Sequence, residues 1–444
     1  MRDCVAPITS NALVAPLAWL LLVIVPALTR AQPGPDSVRL GDLHAAAIRV
    51  DPRRAQLDLL RSRSDLQLGV LDAERLPVVT LATQAQYLSD VPVLPFSLPG
   101  GASPAPPPND NYDLQVAARQ RLYDPTRAPR RALEAAQLAE AQSRVQTVLH
   151  GLRQQVNDAF FTALALQAQE ADVEASLADL DARLQQARER VLAGSALPSE
   201  PAALEAELLR RRQLRDEVRA HRDAALAVLG DLTSIPIGRD AGLVIPDLAD
   251  DVARARRDGE TLRARPEYEQ FDRARHVLDA QQRGIGAQER PRISAFGRAG
   301  YGQPGLNPLA RTFDEYWTAG VQVEWSPFKW GTTEREREAL AVQRRIVATE
   351  EAAFTAAVRR SLTTELSSIG RLERSLEVDD EIIALRERIL AESRLRLDEG
   401  VLTAPDYVDR ETDLLSARLS RTAHRVELGR ARARFLTLLG LEVR

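Results

Sequence analysis

Cysteine, histidine, aromatic residues and long apolar runs are all scarce in this sequence, and each shortage closes off a class of protein. Cys4 is the single cysteine, so no disulfide framework can form within one chain. His44, His150, His221, His276 and His424 stand far apart, and none forms a metal-type pair. Formal net charge is −4, which gives nucleic acid no global attraction. Apart from Ala12 to Leu28, no stretch approaches the roughly 20 apolar residues of a membrane-crossing helix. A polytopic helical membrane protein is therefore excluded. Glycine-rich stretches carry no phosphate-loop pattern, and no catalytic constellation stands out, so neither enzyme, cofactor nor metal is expected. What remains is rich in Ala, Leu, Arg and Glu, with 27% charged residues, and Lys329 is the only lysine. That composition leans towards long helices.

The run Ala12 to Leu28 follows Arg2 and ends at Thr29-Arg30-Ala31, before Gln32. This is the pattern of a secretory signal peptide over 1–31. An uncleaved anchor is the competing reading, and Pro16 and Pro26 argue against a stable spanning helix. Cys4 lies before the run, so it leaves with the signal and cannot carry a lipid on the mature chain. An exported, cysteine-free, helical chain points to a bacterial envelope.

The rest of the chain is written twice. Asp51-Pro52 and Arg75-Leu76-Pro77 return as Arg265-Pro266 and Glu289-Arg290-Pro291 at one common offset. Leu122-Tyr123-Asp124-Pro125 is echoed by Trp325-Ser326-Pro327-Phe328 at a shorter offset, the difference being a longer loop in the first half. Gly194 pairs with Gly400, and Leu229-Gly230 with Leu439-Gly440. The first repeat covers 37–230, with strands over about 78–88 and 111–122, a long helix over 126–193 and a shorter one over 201–229. The second covers 259–441, with strands over 292–302 and 316–325 and helices over 332–399 and 406–439. A linker, 231–258, carries Ile235-Pro236-Ile237 and Leu243-Val244-Ile245-Pro246, which read as short extended pieces.

The long helices are spaced as heptad seams. Val145, Leu149, Leu152, Val156, Ala159, Ala163 and Leu166 form one, continued by Leu177, Leu180, Leu184, Ala187 and Val191. Val342, Ile346, Thr349, Ala353 and Ala356 form the other. Each helix is expected to be about 100 Å long, far beyond a typical globular helix. Shorter helices, 53–76 with 201–229 and 267–290 with 406–439, could stack end to end beside them. From the helices alone an antiparallel coiled-coil rod stays open.

Four segments alternate with period two. Val79, Leu81, Thr83, Ala85 and Tyr87 oppose Thr80, Gln84 and Gln86; Tyr112, Leu114, Val116 and Ala118 oppose Asp113, Gln115, Arg119 and Arg121. Ile293, Ala295, Ala299 and Tyr301 oppose Ser294 and Arg298, with Phe296 breaking the pattern. Trp317, Ala319, Val321, Val323 and Trp325 oppose Thr318, Gln322 and Glu324. About ten residues suffice for a tilted strand to cross a bilayer. Tyr87, Tyr112, Tyr123, Tyr301, Tyr316, Trp317, Trp325 and Trp330 lie near the ends, as an interfacial girdle would. Hairpins of a soluble sheet are the competing reading. Four strands cannot close a membrane barrel, so spanning strands require several chains to share one. The proline-rich loop 89–110 and the Gly/Pro loop 303–312 would then face outward.

In this order of elements the chain resembles the TolC-like outer-membrane efflux protein family over roughly 37–441. Trp325-Ser326-Pro327-Phe328-Lys329-Trp330-Gly331 is similar to the family's strand exit, with Lys329 and Trp330 departing from its usual Asp and Gly. Gly400-Val401-Leu402-Thr403-Ala404-Pro405-Asp406-Tyr407 fits the family's helical-turn pattern. The resemblance implies a mainly α fold with a small membrane β part. A trimeric twelve-stranded barrel would continue into a periplasmic α-helical barrel. It also implies a passive exit duct of a tripartite efflux or type I secretion system, held in outer-membrane lipid. Its partners would be further copies of itself, a periplasmic membrane-fusion adaptor and an inner-membrane pump. A periplasmic coiled-coil adaptor or rod without a barrel is the alternative.

The resemblance assigns the turns around Gly194, Gly400 and Thr403 to the periplasmic tip and to adaptor docking. Asp406 and Asp409 match the family's acidic constriction, and three copies of each would favour cations. Thr403 with Asp406 also reads simply as a helix cap. Glu200 takes the acidic place at the first tip, weakly, because Ser199 before Pro201 also marks a plain helix start. Leu397 and Leu402 stand where some members carry Tyr and Arg tethers. Polar locks are therefore expected to be absent, leaving an apolar constriction that closes by dewetting.

Overall fold

In the computed structural model, residues 38–91, 106–257, 262–307 and 310–443 are described. The expected export signal and the middle of the proline-rich loop, 92–105, lie outside the described residues. The chain runs α1 (Leu40–Val50), α2 (Gln56–Ala73), β1 (Val78–Tyr87), β2 (Asp110–Tyr123), α3 (Arg127–Leu192), α4 (Ser199–Thr233), α5 (Ala249–Arg257), α6 (Pro266–Ala287), β3 (Arg292–Gln303), β4 (Asp314–Glu324), α7 (Thr332–Asp398) and α8 (Ala404–Leu438).

Helix α3 has 66 residues and α7 has 67, or about 100 Å each at 1.5 Å per residue. Pro129 sits in the first turn of α3, where its missing N–H costs nothing. Both helices stop at a glycine with positive φ, Gly194 and Gly400. Helix α4 packs along α3 and α8 along α7, while α6 lies against both α3 and α7. The second half's short helix thus fills the first half's groove, and the repeats interlock rather than stand side by side.

The main core lies midway along the bundle. Phe160 and Phe161 of α3 meet edge to face, with ring centroids 5.3 Å apart, and Leu229, Leu362, Leu372, Phe435 and Leu436 close around them. The linker joins this core through Leu243, Leu248, Val252 and Ala255. It runs through two non-helical pieces, 235–238 and 241–248, with one isolated bridge between Val38 and Leu243, and then forms helix α5. Helix α1 is pinned there too: the His44 ring bonds the Asn157 amide oxygen at 2.8 Å, and the Asn157 amide donates to the Thr437 hydroxyl at 3.1 Å.

The first-half seam is buried as its spacing implies, at Val145, Leu149, Leu152, Val156, Leu180 and Leu184. The second-half seam is not. Val342 and Ile346 are exposed, and α7 buries Val347, Val358, Leu362, Ile369 and Leu372 instead. A helix with apolar residues on two stripes offers both to a neighbour, and spacing cannot say which stripe its own chain covers.

The strands form one antiparallel sheet in the order β1-β2-β3-β4. The β2–β3 ladder joins the two halves, with Val116 opposite Ala299 and Arg119 opposite Phe296. β1 and β4 are left as edges with no further strand beside them among the described residues.

Candidate functional site

Residues paired across an antiparallel ladder share one face of the sheet. The row Leu81, Val116, Ala299 and Trp317 is therefore apolar throughout, as is the row Val79, Ala118, Gly297 and Ala319. Leu81, Val116, Trp317, Val321 and Val323 all stay exposed. The opposite face carries Thr80, Gln84, Asp113, Gln115, Arg119, Arg298, Thr318 and Gln322. Phe296, the residue that broke the alternation, lies on this polar face. Gly320 opposite it leaves the space, since a Cβ there would stand 2.9 Å from the ring.

Tyr87, Tyr112, Tyr301 and Trp317 fall towards the loop end of the apolar face, and Tyr112 and Tyr301 both stack on Phe313, at 6.2 and 5.5 Å. Tyr123, Trp325 and Trp330 fall towards the helix end, where the Trp325 indole donates to the Glu289 carbonyl at 3.0 Å. Trp330 is 92% exposed. Tyr316 departs from this set: its side chain crosses Gly300 on the polar face and its hydroxyl donates to Asp113. Among the described residues no helix is long and apolar enough to cross a membrane.

At the far end of the long helices both turns have the same hydrogen bonds. Ser195 N–H donates to the Arg190 carbonyl at 2.9 Å and Val401 N–H to the Arg396 carbonyl at 2.8 Å, the bond of a left-handed helix stop. Gly194 at φ 72° and Gly400 at φ 73° supply the conformation that L side chains resist. The Arg190 guanidinium donates to the Leu397 carbonyl at 2.7 Å and ties the two turns together. Thr403 caps α8: its hydroxyl accepts from Asp406 N–H at 3.3 Å and donates to the Asp406 carboxylate at 2.6 Å. Asp406 and Asp409 are both exposed, one helical turn apart. Glu200 is half-buried in the first turn of α4, which begins at Ser199 with no side-chain cap.

Leu397 is 5% exposed. It packs with Leu180, Leu184, Ala187, Leu204 and Tyr407 between helices of its own chain, and Leu402 lies against that cluster. Neither leucine stands on an open surface of the single chain. Polar ties in this region are made by other side chains. The buried Tyr407 hydroxyl donates to Asp179 at 2.6 Å, the Arg183 guanidinium lies 5.9 Å from its ring centre, and burial together with Asp179 keeps the phenol protonated. One turn on, Glu411 accepts from the Ser176 hydroxyl and from Arg211 at 3.1 Å, and Arg211 also pairs with Glu207 at 2.8 Å. Burial pushes the Glu411 carboxyl above the ordinary range, against the pull of Ser176 and Arg211. These residues escaped the sequence reading. The available signal was the i, i+4 pair Tyr407 and Glu411, together with Ser176, Asp179 and Arg183 interrupting a leucine seam.

No group of His, Cys, Asp and Glu among the described residues is placed to hold a metal ion. No protein-family model matches the chain, and no curated protein matches it. Solved structures do. The outer-membrane channel OprN is 18% identical, over 90% of this chain and 89% of its own, with a TM-score of 0.59. CusC, described with transmembrane channel formation, is 14% identical over 91% and 92%, with a TM-score of 0.65. The open state of the Neisseria gonorrhoeae outer-membrane channel MtrE is 16% identical over 91% and 90%, with a TM-score of 0.63. Over about nine-tenths of its length, then, the chain resembles TolC-like outer-membrane channels and has their fold.

Proposed function

We propose that the chain is a passive outer-membrane exit channel, exported by its signal peptide and assembled as a homotrimer. The observation that carries this reading is the sheet. One face is apolar between two aromatic rows, the other is polar, and both edges lack a partner strand among the described residues. Unpaired edges cost several kcal/mol per group in lipid, so the wall must be completed by further copies. Three copies give twelve strands, the apolar face towards lipid and the polar face towards a lumen.

The helices support the same assembly. Val378, Ile382, Leu385 and Ile389 are exposed on α7 at heptad spacing, and Leu59, Leu66 and Val70 are exposed on α2. Neighbouring copies would bury both stripes. The turns at Gly194, Gly400 and Thr403 then form the periplasmic tip, where exposed Leu192, Leu197 and Val401 offer an apolar surface to a membrane-fusion adaptor. An inner-membrane pump of a tripartite efflux or type I system would load the duct. Asp406 and Asp409 line the constriction, Leu402 stiffens it from behind, and Leu397 and Glu200 support the two turns.

The test is purification from outer membranes followed by planar-bilayer recording. Heat-modifiable trimers that conduct, with weaker cation selectivity in D406A/D409A, fit the proposal. A soluble periplasmic monomer without conductance overturns it, and unchanged reversal potentials remove the two aspartates from the constriction.

A further inference from the structure

We propose that Arg119 and Arg298 form an anion-holding waist on the polar face of the sheet, taking small polyvalent carboxylates or phosphates. This rests on reading that face as a channel lumen. The other charges on the face are placed differently. Arg121 is held by Glu74 at 3.2 Å and Asp124 at 3.6 Å. Asp113 accepts from Tyr316, and Arg292 lies in register with Glu324. Asp314 stands at the loop end, beside Thr312.

The Arg119 side chain makes no hydrogen bond or ion pair among the described residues. The Arg298 Nε donates to the Thr318 hydroxyl at 2.9 Å, and its guanidinium lies 5.9 Å from the Tyr316 ring centre. Neither contact supplies a negative charge. The two arginines sit on adjacent strands, Arg119 opposite Phe296 and Arg298 opposite Ala117. They line one depression with Thr80, Gln115, Gln322 and the Phe296 ring. Glu74 and Arg121 line it too, and that carboxylate is paired with Arg121 and Arg130, which leaves Arg119 and Arg298 as the depression's uncompensated charges.

Guanidinium presents a planar fork of N–H donors that matches carboxylate and phosphate oxygens. Thr318 and Tyr316 fix one fork in place, so less freedom is lost when an anion arrives. An apolar ring beside the charges strengthens their field, and rings of Arg make a pore anion-selective. Closing three copies into one wall concentrates this charge at mid-strand. A solute would then meet acidic side chains at the tip and basic ones inside the membrane, so the waist selects independently of the tip.

The probe is sodium citrate, added at millimolar concentration to single channels in planar bilayers with chloride as background. Citrate should lower the wild-type conductance, and R119S/R298S should need about tenfold more citrate for the same block. R119K/R298K, which keeps the charge but loses the planar fork, should fall between the two. Q322E, which adds a carboxylate to the same depression without removing an arginine, should weaken the block even if the serine variant does not assemble. Equal block in wild type and Q322E, or no block of a conducting wild type, overturns the waist. A wild type that never conducts overturns the channel reading instead.

Discussion

At the sheet end Leu81, Val116, Trp317 and Val321 stay exposed, although they share one apolar face. At the turn end Arg183, Glu207, Arg211, Tyr407 and Glu411 are all buried, although four of them carry formal charge. One region leaves its apolar surface open and the other hides its polar groups. On the proposed assembly, further copies complete the sheet, while the turn region packs within its own helices. A polar group is buried only where partners are fixed, and an apolar face stays open only where lipid or a neighbour will cover it.

The contrast breaks most sharply if charge is tolerated on the apolar face. L81R or V321R should abolish heat-modifiable trimers, since Arg at mid-bilayer costs about 2–4 kcal/mol per copy. T80R, one residue along and on the opposite face, should assemble normally. Gel mobility with and without heating separates the two, and equal behaviour would end the assignment of faces.

At the turn end the loss should be of similar size but should come from within the chain. E411A leaves the Arg211 guanidinium paired with Glu207 but strips the buried Ser176 hydroxyl of its acceptor, and should lower stability to urea by about 1–3 kcal/mol. E207Q/R211M/E411L, which removes all three charges, should lose much less. A triple variant as damaged as the single one would show that the cluster acts through packing alone.

Between the two regions, the core around α1 should respond to acid. Burial holds the His44 imidazole down to about 4, against 6.5 for the free side chain. The neutral ring is the folded form, so its contribution is full above about pH 6.5 and is lost as pH falls towards 4. The whole loss is about 3 kcal/mol. Urea midpoints should fall across that window in the wild type and fall less in H44Q. The smallest effect is the α8 cap: T403A should cost about 1 kcal/mol and loosen the Asp406 carboxylate, read as faster amide exchange at Asp406.

Much of this was legible in the residues. Prolines at the strand ends, paired glycines and period-two segments located four strands and two long helices, because each signal is local: a missing N–H, a positive φ, an alternating face. The glycine turns and the Thr403 cap were legible for the same reason. The buried seam on α7 was misplaced because the stripes through Val342 and through Val347 both satisfy helical spacing. The Tyr407 and Glu411 ties were missed because their partners lie on α3 and α4, more than 190 residues earlier in the sequence.

By itself the sequence determined the order of elements, the duplication and the two faces of each strand, since backbone sterics and side-chain alternation act over a few residues. Tertiary structure alone decided that α6 fills the groove of α3, that Leu397 is core rather than lining, and that Asp179, Ser176 and Arg211 meet α8. Those outcomes depend on which helix lies against which, and neither periodicity nor composition fixes the pairing of surfaces distant in the chain.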